Sequence, residues 1–237
     1  MIMAINKIKF LYKGKIELDD DTRNKVIDFW NNLQQDTELL KEGNILVVNN
    51  LIRDENDFEI ELKETTFSNF MYFKENKNGD LRAMFSGAYI VTNDGYIVCV
   101  LNNYYENELE FEILNLVGGM ADGNDIIDGK YSSSKCLQRE FKEELGFNIN
   151  SHKWKIQLKY LKCPSENENP VGYPIGTIYE IKTEYTKEQI QEMFEKKLHD
   201  KEVKKLIFFS KDNYKDILKY EHKKQYMIEL FFKIFEQ

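Results

Sequence analysis

The stretch that most restricts how this chain can fold is FEILNLVGGMADGNDIIDGKYSSSKCLQREFKEELGF, residues 111–147. Its opening apolar run reads as a strand ending at the glycine pair Gly118-Gly119. After a loop of about a dozen residues, Ser132, Ser133 and Ser134 offer N-caps for a helix that runs to Leu145, and Gly146 suits the left-handed residue that closes one. On that helix Glu140, Glu143 and Glu144 stand at i, i+3 and i+4, beside an apolar stripe of Leu137, Phe141 and Leu145. Two carboxylates about 5 Å apart repel by roughly 3 kcal/mol at an effective dielectric of about 20, and by under about 1 kcal/mol in bulk water. Burial therefore decides what the cluster means. A wet flank is an ordinary solvated helical face, whereas one lining a cleft has the hard oxygens that Mg²⁺ or Mn²⁺ takes.

The segment REFKEELGF matches the central part of the Nudix box, Arg-Glu-apolar-x-Glu-Glu-x-Gly-apolar, at Arg139, Glu140, Phe141, Glu143, Glu144, Gly146 and Phe147. A chance match is on the order of one in ten thousand or rarer, and on these residues the chain resembles the Nudix hydrolases over about residues 81–212. The resemblance implies an α/β fold, a Nudix-type α/β/α sandwich with a mixed sheet. It also implies Mg²⁺ or Mn²⁺ held by Glu140, Glu143, Glu144 and the Gly119 carbonyl, with Arg139 orienting a glutamate. The plainer reading of Arg139 is an i,i+4 surface pair with Glu143. The family often draws a further acid, ligand or base, from a later loop; Glu202 occupies that place, with Asp200 as the alternative and His199 nearby as a candidate proton carrier. The implied catalytic set is thus Arg139, Glu143, Glu144 and Glu202.

The chain departs from the family upstream of the helix. Relatives usually carry a glutamate six residues after the second glycine and eight before the arginine, whereas here the glycine-to-arginine distance is six residues longer. Counting back from Arg139 reaches Tyr131, and counting forward from Gly119 reaches Asp125. Asp125 and Asp128 are both possible substitutes and neither is assigned. Val117 also stands where a proline often precedes the glycine pair.

Elsewhere the chain divides at about residue 80. Residues 1–80 read as a small α+β layer: the alternation Ile8, Phe10, Tyr12, an amphipathic helix in LDDDTRNKVIDFWNNLQ, strands in NILVVNNLI and DFEIELKET, and TFSNFMYF, which fits helix or strand. Residues 81–237 read as the Nudix-like domain. Strand runs flank Asn93-Asp94-Gly95, a tight hairpin turn. Later come strands in WKIQLKYLKC and GTIYEIKTEY around a loop with Pro164, Pro170 and Pro174, a helix capped by Thr186, the strand VKKLIFFS, and a C-terminal helix over 213–237.

At 237 residues with 42% hydrophobic and 14% aromatic content, the chain can bury a sizeable core, which excludes a disordered class. Its charge of −8 disfavours a broad nucleic-acid track. The lysines at 196, 197, 201, 204 and 205 alternate with Glu195, Asp200 and Glu202, as a solvated face does. Cys99, Cys136 and Cys163 form no CxxC pair and read as reduced, mostly buried thiols. No leader-like or membrane-length apolar run is visible, so a cytoplasmic location is expected by default. Tyr104, Tyr105 and Tyr173 are candidates to stack on a base, with packing as the plainer reading.

The resemblance thus implies a metal-dependent enzyme cleaving a diphosphate linkage in a nucleoside diphosphate joined to another moiety. The long loop and N-terminal layer resemble those of members acting on nucleotide sugars. An RNA cap hydrolase and a non-catalytic nucleotide sensor are the alternatives. The expected partner is a small nucleotide derivative; many relatives are homodimers, and the N-terminal layer could supply such a contact.

Overall fold

A computed structural model of the chain describes residues 1–36, 42–76, 81–106, 109–164, 174–196, 202–223 and 225–236. Strands β1 (Ile2–Ala4) and β2 (Lys7–Lys15) precede helix α1 (Asp20–Asp36), then β3 (Asn44–Asp54), β4 (Asp57–Thr66) and helix α2 (Phe67–Glu75). Strands β5 (Arg82–Val91), β6 (Ile97–Glu106), β7 (Leu109–Asn115) and β8 (Val117–Met120) follow, with the two-residue strands β9 (Ile126–Ile127) and β10 (Lys130–Tyr131) leading into helix α3 (Ser133–Leu145). The chain ends with β11 (Trp154–Lys162), β12 (Ile175–Thr183), helix α4 (Lys187–Lys196), β13 (Val203–Phe209) and helix α5 (Gln225–Phe235).

Eleven strands join in one mixed sheet with the path β1-β11-β12-β5-β3-β4-β2, and β5 is its centre. One edge of β5 runs parallel to β12. The other edge takes three partners in turn: Arg82 and Ala83 pair with β3, Phe85 to Ala88 with β8, and Ile90 and Val91 with β6 across the hairpin. β6 then diverges to pair with β13 and β7. The short β8 is therefore wedged where the longer strands separate. Residues before position 80 are joined to this sheet by main-chain pairing, through β3 on β5 and β1 on β11.

Strand alternation assigns the two faces. Val98 and Val100 of β6 and Val117 of β8 pack under Leu137, Phe141 and Leu145 of α3 and Ile190 and Phe194 of α4. Ile97, Cys99 and Leu101 point the other way, against Met227, Leu230 and Phe231 of α5. Helices thus cover both faces, as the α/β/α expectation required. Each fully buried Leu, Val or Phe contributes roughly 1.5–3 kcal/mol through lost apolar surface, so these two layers hold the sheet and α3 in register.

Local chemistry resolves what periodicity left open. TFSNFMYF is helical because Thr66 Oγ1 accepts from the Asn69 amide at 3.2 Å, an N-cap. The predicted single strand FEILNLVGG is two strands, and the glycine pair lies inside β8 rather than at a strand end. The break falls at Leu116, whose amide donates to the Asn115 side chain at 2.9 Å while the chain changes partner from β6 to β5. The loop after it contains a 3-10 turn, Gly123–Asp125, and the β9–β10 hairpin. The predicted terminal helix over 213–237 is shorter: a 3-10 turn at Tyr214–Lys219 precedes α5. Between them the chain docks on β7, where the Leu114 amide donates to the His222 carbonyl at 3.1 Å.

Candidate active site

Helix α3 begins on Ser132, whose hydroxyl accepts from the Lys135 amide at 3.3 Å, and stops at Gly146, φ +66°. Burial of Leu137, Phe141 and Leu145, each 0% exposed, fixes the rotation of the helix about its axis. That rotation divides the three glutamates. Glu140 and Glu144 are buried against β8, whereas Glu143 stays outside with 54% of its side chain exposed.

Two glycines admit the buried pair. The Gly118 amide donates to Glu144 Oε2 at 2.8 Å. Gly118 has φ +139°, and a Cβ there would lie 2.2 Å from the Ser86 carbonyl oxygen, which only glycine avoids. At Gly119 a Cβ would meet the Glu140 carboxylate at 2.6 Å. The Gly119 carbonyl accepts a long contact from the Cys136 thiol at 3.8 Å.

Arg139 gathers the acids around it. Its Nε and Nη2 donate to the two carboxylate oxygens of Asp125 at 3.3 and 3.0 Å. Nη1 donates to Glu140 at 2.7 Å and to Glu143 at 3.2 Å, and Nη2 also donates to the Met120 carbonyl at 2.9 Å. Asp125 is wholly buried, and its Oδ2 also accepts from the Asp122 amide at 3.0 Å. Of the two upstream candidates, Asp125 is therefore the one joined to the helix. Asp128 is the turn residue of the β9–β10 hairpin, with φ +50°.

Burial pushes the Glu140 carboxyl up to about 7; the Arg139 charge opposes this and Glu143 adds to it. Burial raises Glu144 well above the usual carboxylate range, although its bond from Gly118 favours the charged form. Burial works against the Arg139 charge, but the bond to Asp125 and the charge of Glu140 more than offset it.

Glu202 precedes β13, where its carbonyl accepts from the Asn103 amide at 2.9 Å. Its carboxylate accepts from Asn102 Nδ2 at 3.3 Å, and the Asn102 amide and the Glu202 charge both act on Glu144, the first favouring and the second opposing its charged form. Thus Glu202 is brought to the box glutamates by a residue the sequence reading did not single out. Asp200, His199, Lys197, Lys201 and Tyr173 lie outside the described residues, as do the side chains of Tyr104 and Tyr105.

These groups open on a cleft of about 1160 Å³ lined by Glu140, Glu144, Glu202 and Asn102. Its walls also include Phe85 and Tyr226, whose ring centroids lie 6.2 Å apart, together with Phe232 and Lys162. None of these aromatics was picked out from sequence; they come from β5 and α5, and only the fold makes them neighbours. The three cysteines are free and buried, as expected.

Among the described residues no three Asp, Glu, His or Cys side chains already converge in ligating geometry. The donor set nevertheless suits a hard divalent cation: carboxylate oxygens from two elements, the amide oxygen of Asn102 and backbone carbonyls. Buried, mutually repelling glutamates need positive charge beyond that of Arg139, which is already shared among Asp125, Glu140 and Glu143.

No family model matches the chain and no curated protein matches it. Solved structures similar to it include the Deinococcus radiodurans protein DR0079 (15% identity, 64% of this chain and 82% of that one, TM-score 0.44). They also include the Nudix domain of Shewanella oneidensis NrtR, solved with ADP-ribose (13% identity, 67% and 90%, TM-score 0.42). A third is a MutT protein from Methanosarcina mazei Go1 (16% identity, 65% and 93%, TM-score 0.37).

Proposed function

We propose that this chain is a Nudix-type hydrolase that uses a divalent cation to cleave a diphosphate linkage in a nucleoside diphosphate derivative. The observation that carries the reading is the burial of Glu140 and Glu144 against Gly118 and Gly119 at the cleft, within the Arg139 network of the box. Glu140, Glu144 and Glu202 would hold the cation, Mg²⁺ or Mn²⁺, with the Gly119 carbonyl as a backbone contributor. When bound, it would offset phosphate charge and activate water.

The chain's own groups have distinct tasks. Arg139 fixes the Glu140 carboxylate by a 2.7 Å bond, so one ligand is oriented before the cation arrives. Glu143 is solvent-exposed and restrained by Arg139 at 3.2 Å, and it takes the proton released by the attacking water. Lys162 lines the same cleft and offers positive charge to an anionic substrate. Phe85, Tyr226 and Phe232 provide flat apolar surface for a base.

The test is Mg²⁺-dependent product release from a panel of nucleoside diphosphate derivatives, nucleotide sugars included, with Glu143→Gln and Glu144→Gln as controls. Turnover lost in both variants supports the reading. A second reading, a ligand sensor, is favoured by the absence of a preformed three-carboxylate site among the described residues. Binding of a nucleotide derivative without turnover of any substrate selects the sensor.

A further inference from the structure

Among the described residues, Asn102 Oδ1 is the one buried side-chain oxygen or nitrogen with no hydrogen-bond partner. Leaving such an acceptor bare costs about 1–3 kcal/mol, and an orphan of this kind calls for an explanation such as a water or an ion. Asn102 is 3% exposed and lines the cleft with Glu140, Glu144 and Glu202.

Its position on β6 sharpens the question. Strand alternation places Asn102 on the same face as Val98 and Val100, which pack beneath α3. A third apolar residue would continue that core without penalty. Instead the amide nitrogen donates to Glu202 at 3.3 Å, which fixes which end of the amide is which. Its oxygen is then left facing no donor among the described residues, on a cleft that Glu144 and Glu202 also line.

Resting on the reading of this cleft as a cation site, we propose that Asn102 is an additional oxygen ligand of the divalent cation. Its Nδ2 holds Glu202 while its Oδ1 would join the Glu144 and Glu202 oxygens on the ion. Three elements that the chain brings together from afar, α3, β6 and the approach to β13, thus supply one cation position. An uncharged ligand fits here because a third carboxylate would add repulsion to a pair already costly to bury.

The probe is Mn²⁺ alone, titrated into the full chain and followed by the electron paramagnetic resonance signal of free Mn²⁺, with thermal melts of each metal-free variant as fold control. Asn102→Leu is expected to weaken Mn²⁺ binding at least tenfold while still melting cooperatively; Asn102→Val, suited to a strand, repeats the test should the leucine variant not fold. Asn102→Asp, which restores an oxygen, is expected to bind Mn²⁺ at least as tightly as the unaltered chain. Unchanged affinity in the apolar variants overturns the proposal, and so does equal loss in the apolar and Asp variants, which would mark a packing role only. If the unaltered chain binds no Mn²⁺, this inference and the hydrolase reading fall together; if it binds and Glu144→Gln weakens it while Asn102→Leu does not, only this inference falls.

Discussion

Arg139 grips Asp125 through two hydrogen bonds, 3.3 Å from Nε and 3.0 Å from Nη2, although the two are separated by 14 residues and a hairpin. Asp125 is 0% exposed, so the long loop is anchored to α3 by a buried ion pair. Removing one member of such a pair leaves the other uncompensated. Asp125→Ala is expected to destabilise the protein by about 2–4 kcal/mol, below the largest buried-pair losses because Arg139 retains Glu140 and Glu143. Arg139→Ala should cost a similar amount, and the double variant should fall short of the sum by about 1 kcal/mol or more. Urea denaturation of the four proteins measures this; strict additivity would show that the two residues act independently.

Gly119 faces the Glu140 carboxylate with no room for a Cβ, since one built there would lie 2.6 Å away. Gly119→Ala therefore has to push Glu140 out of its place between β8 and Arg139. The expected result is a loss of about 1–3 kcal/mol in stability, the usual cost of overpacking, and at least tenfold weaker Mn²⁺ binding. Calorimetric titration with Mn²⁺ checks the second effect. Normal affinity would mean that Glu140 is not needed at the cation.

How much of this was legible beforehand depended on how local each signal was. The helix α3, its Ser132 cap and its Gly146 stop are written in short-range residue preferences, and all three are present. The count of six from Gly119 reached Asp125, but only a folded chain shows that Arg139 holds it. The inequality among the three glutamates was not readable, because it depends on which residues of β8 lie under α3. The break at Leu116 escaped notice for a related reason: both halves are apolar strands, and the break appears only when the chain exchanges β6 for β5. Least accessible was the bond between Asn102 and Glu202, a hundred positions apart. Asn102 stood in an apolar run, IVCVLNN, where a polar residue on the core face was the available sign.

Glu143 differs from its neighbours in being exposed, with 54% of its side chain accessible. Its partnership with Arg139 is an i,i+4 surface pair, the kind that contributes little to stability, roughly 0.3–0.5 kcal/mol. Glu143→Gln is therefore expected to leave stability within about 0.5 kcal/mol of the unaltered protein while reducing turnover about 100-fold or more, as loss of a general base does. A thermal melt and an initial-rate assay on one preparation decide it. Full activity in the variant would remove Glu143 from the chemistry and leave it as a surface residue.

The buried carboxylates also set how the metal-free protein responds to pH. Glu140 is pushed by burial from an ordinary 4.5 up to about 7, so the folded state keeps a proton that the unfolded chain releases near 4.5. Its contribution to stability is complete below about 4.5 and is lost as the pH rises through about 7. Glu144, raised by burial as well, acts in the same direction. In the presence of a chelator, stability should therefore fall between about pH 5 and pH 8. Glu140→Gln, neutral throughout, should flatten part of that slope and exceed the unaltered protein at about pH 8 by up to roughly 3 kcal/mol, the two converging near pH 4.5. Added Mn²⁺ should reverse the order at the higher pH, because it stabilises the charged carboxylates by mass action and the glutamine variant has one ligand fewer. Urea midpoints across the range, with chelator and with Mn²⁺, measure both effects; a metal-free protein that gains stability on going from pH 5 to pH 8 would mean that these glutamates are paired as anions in the folded state.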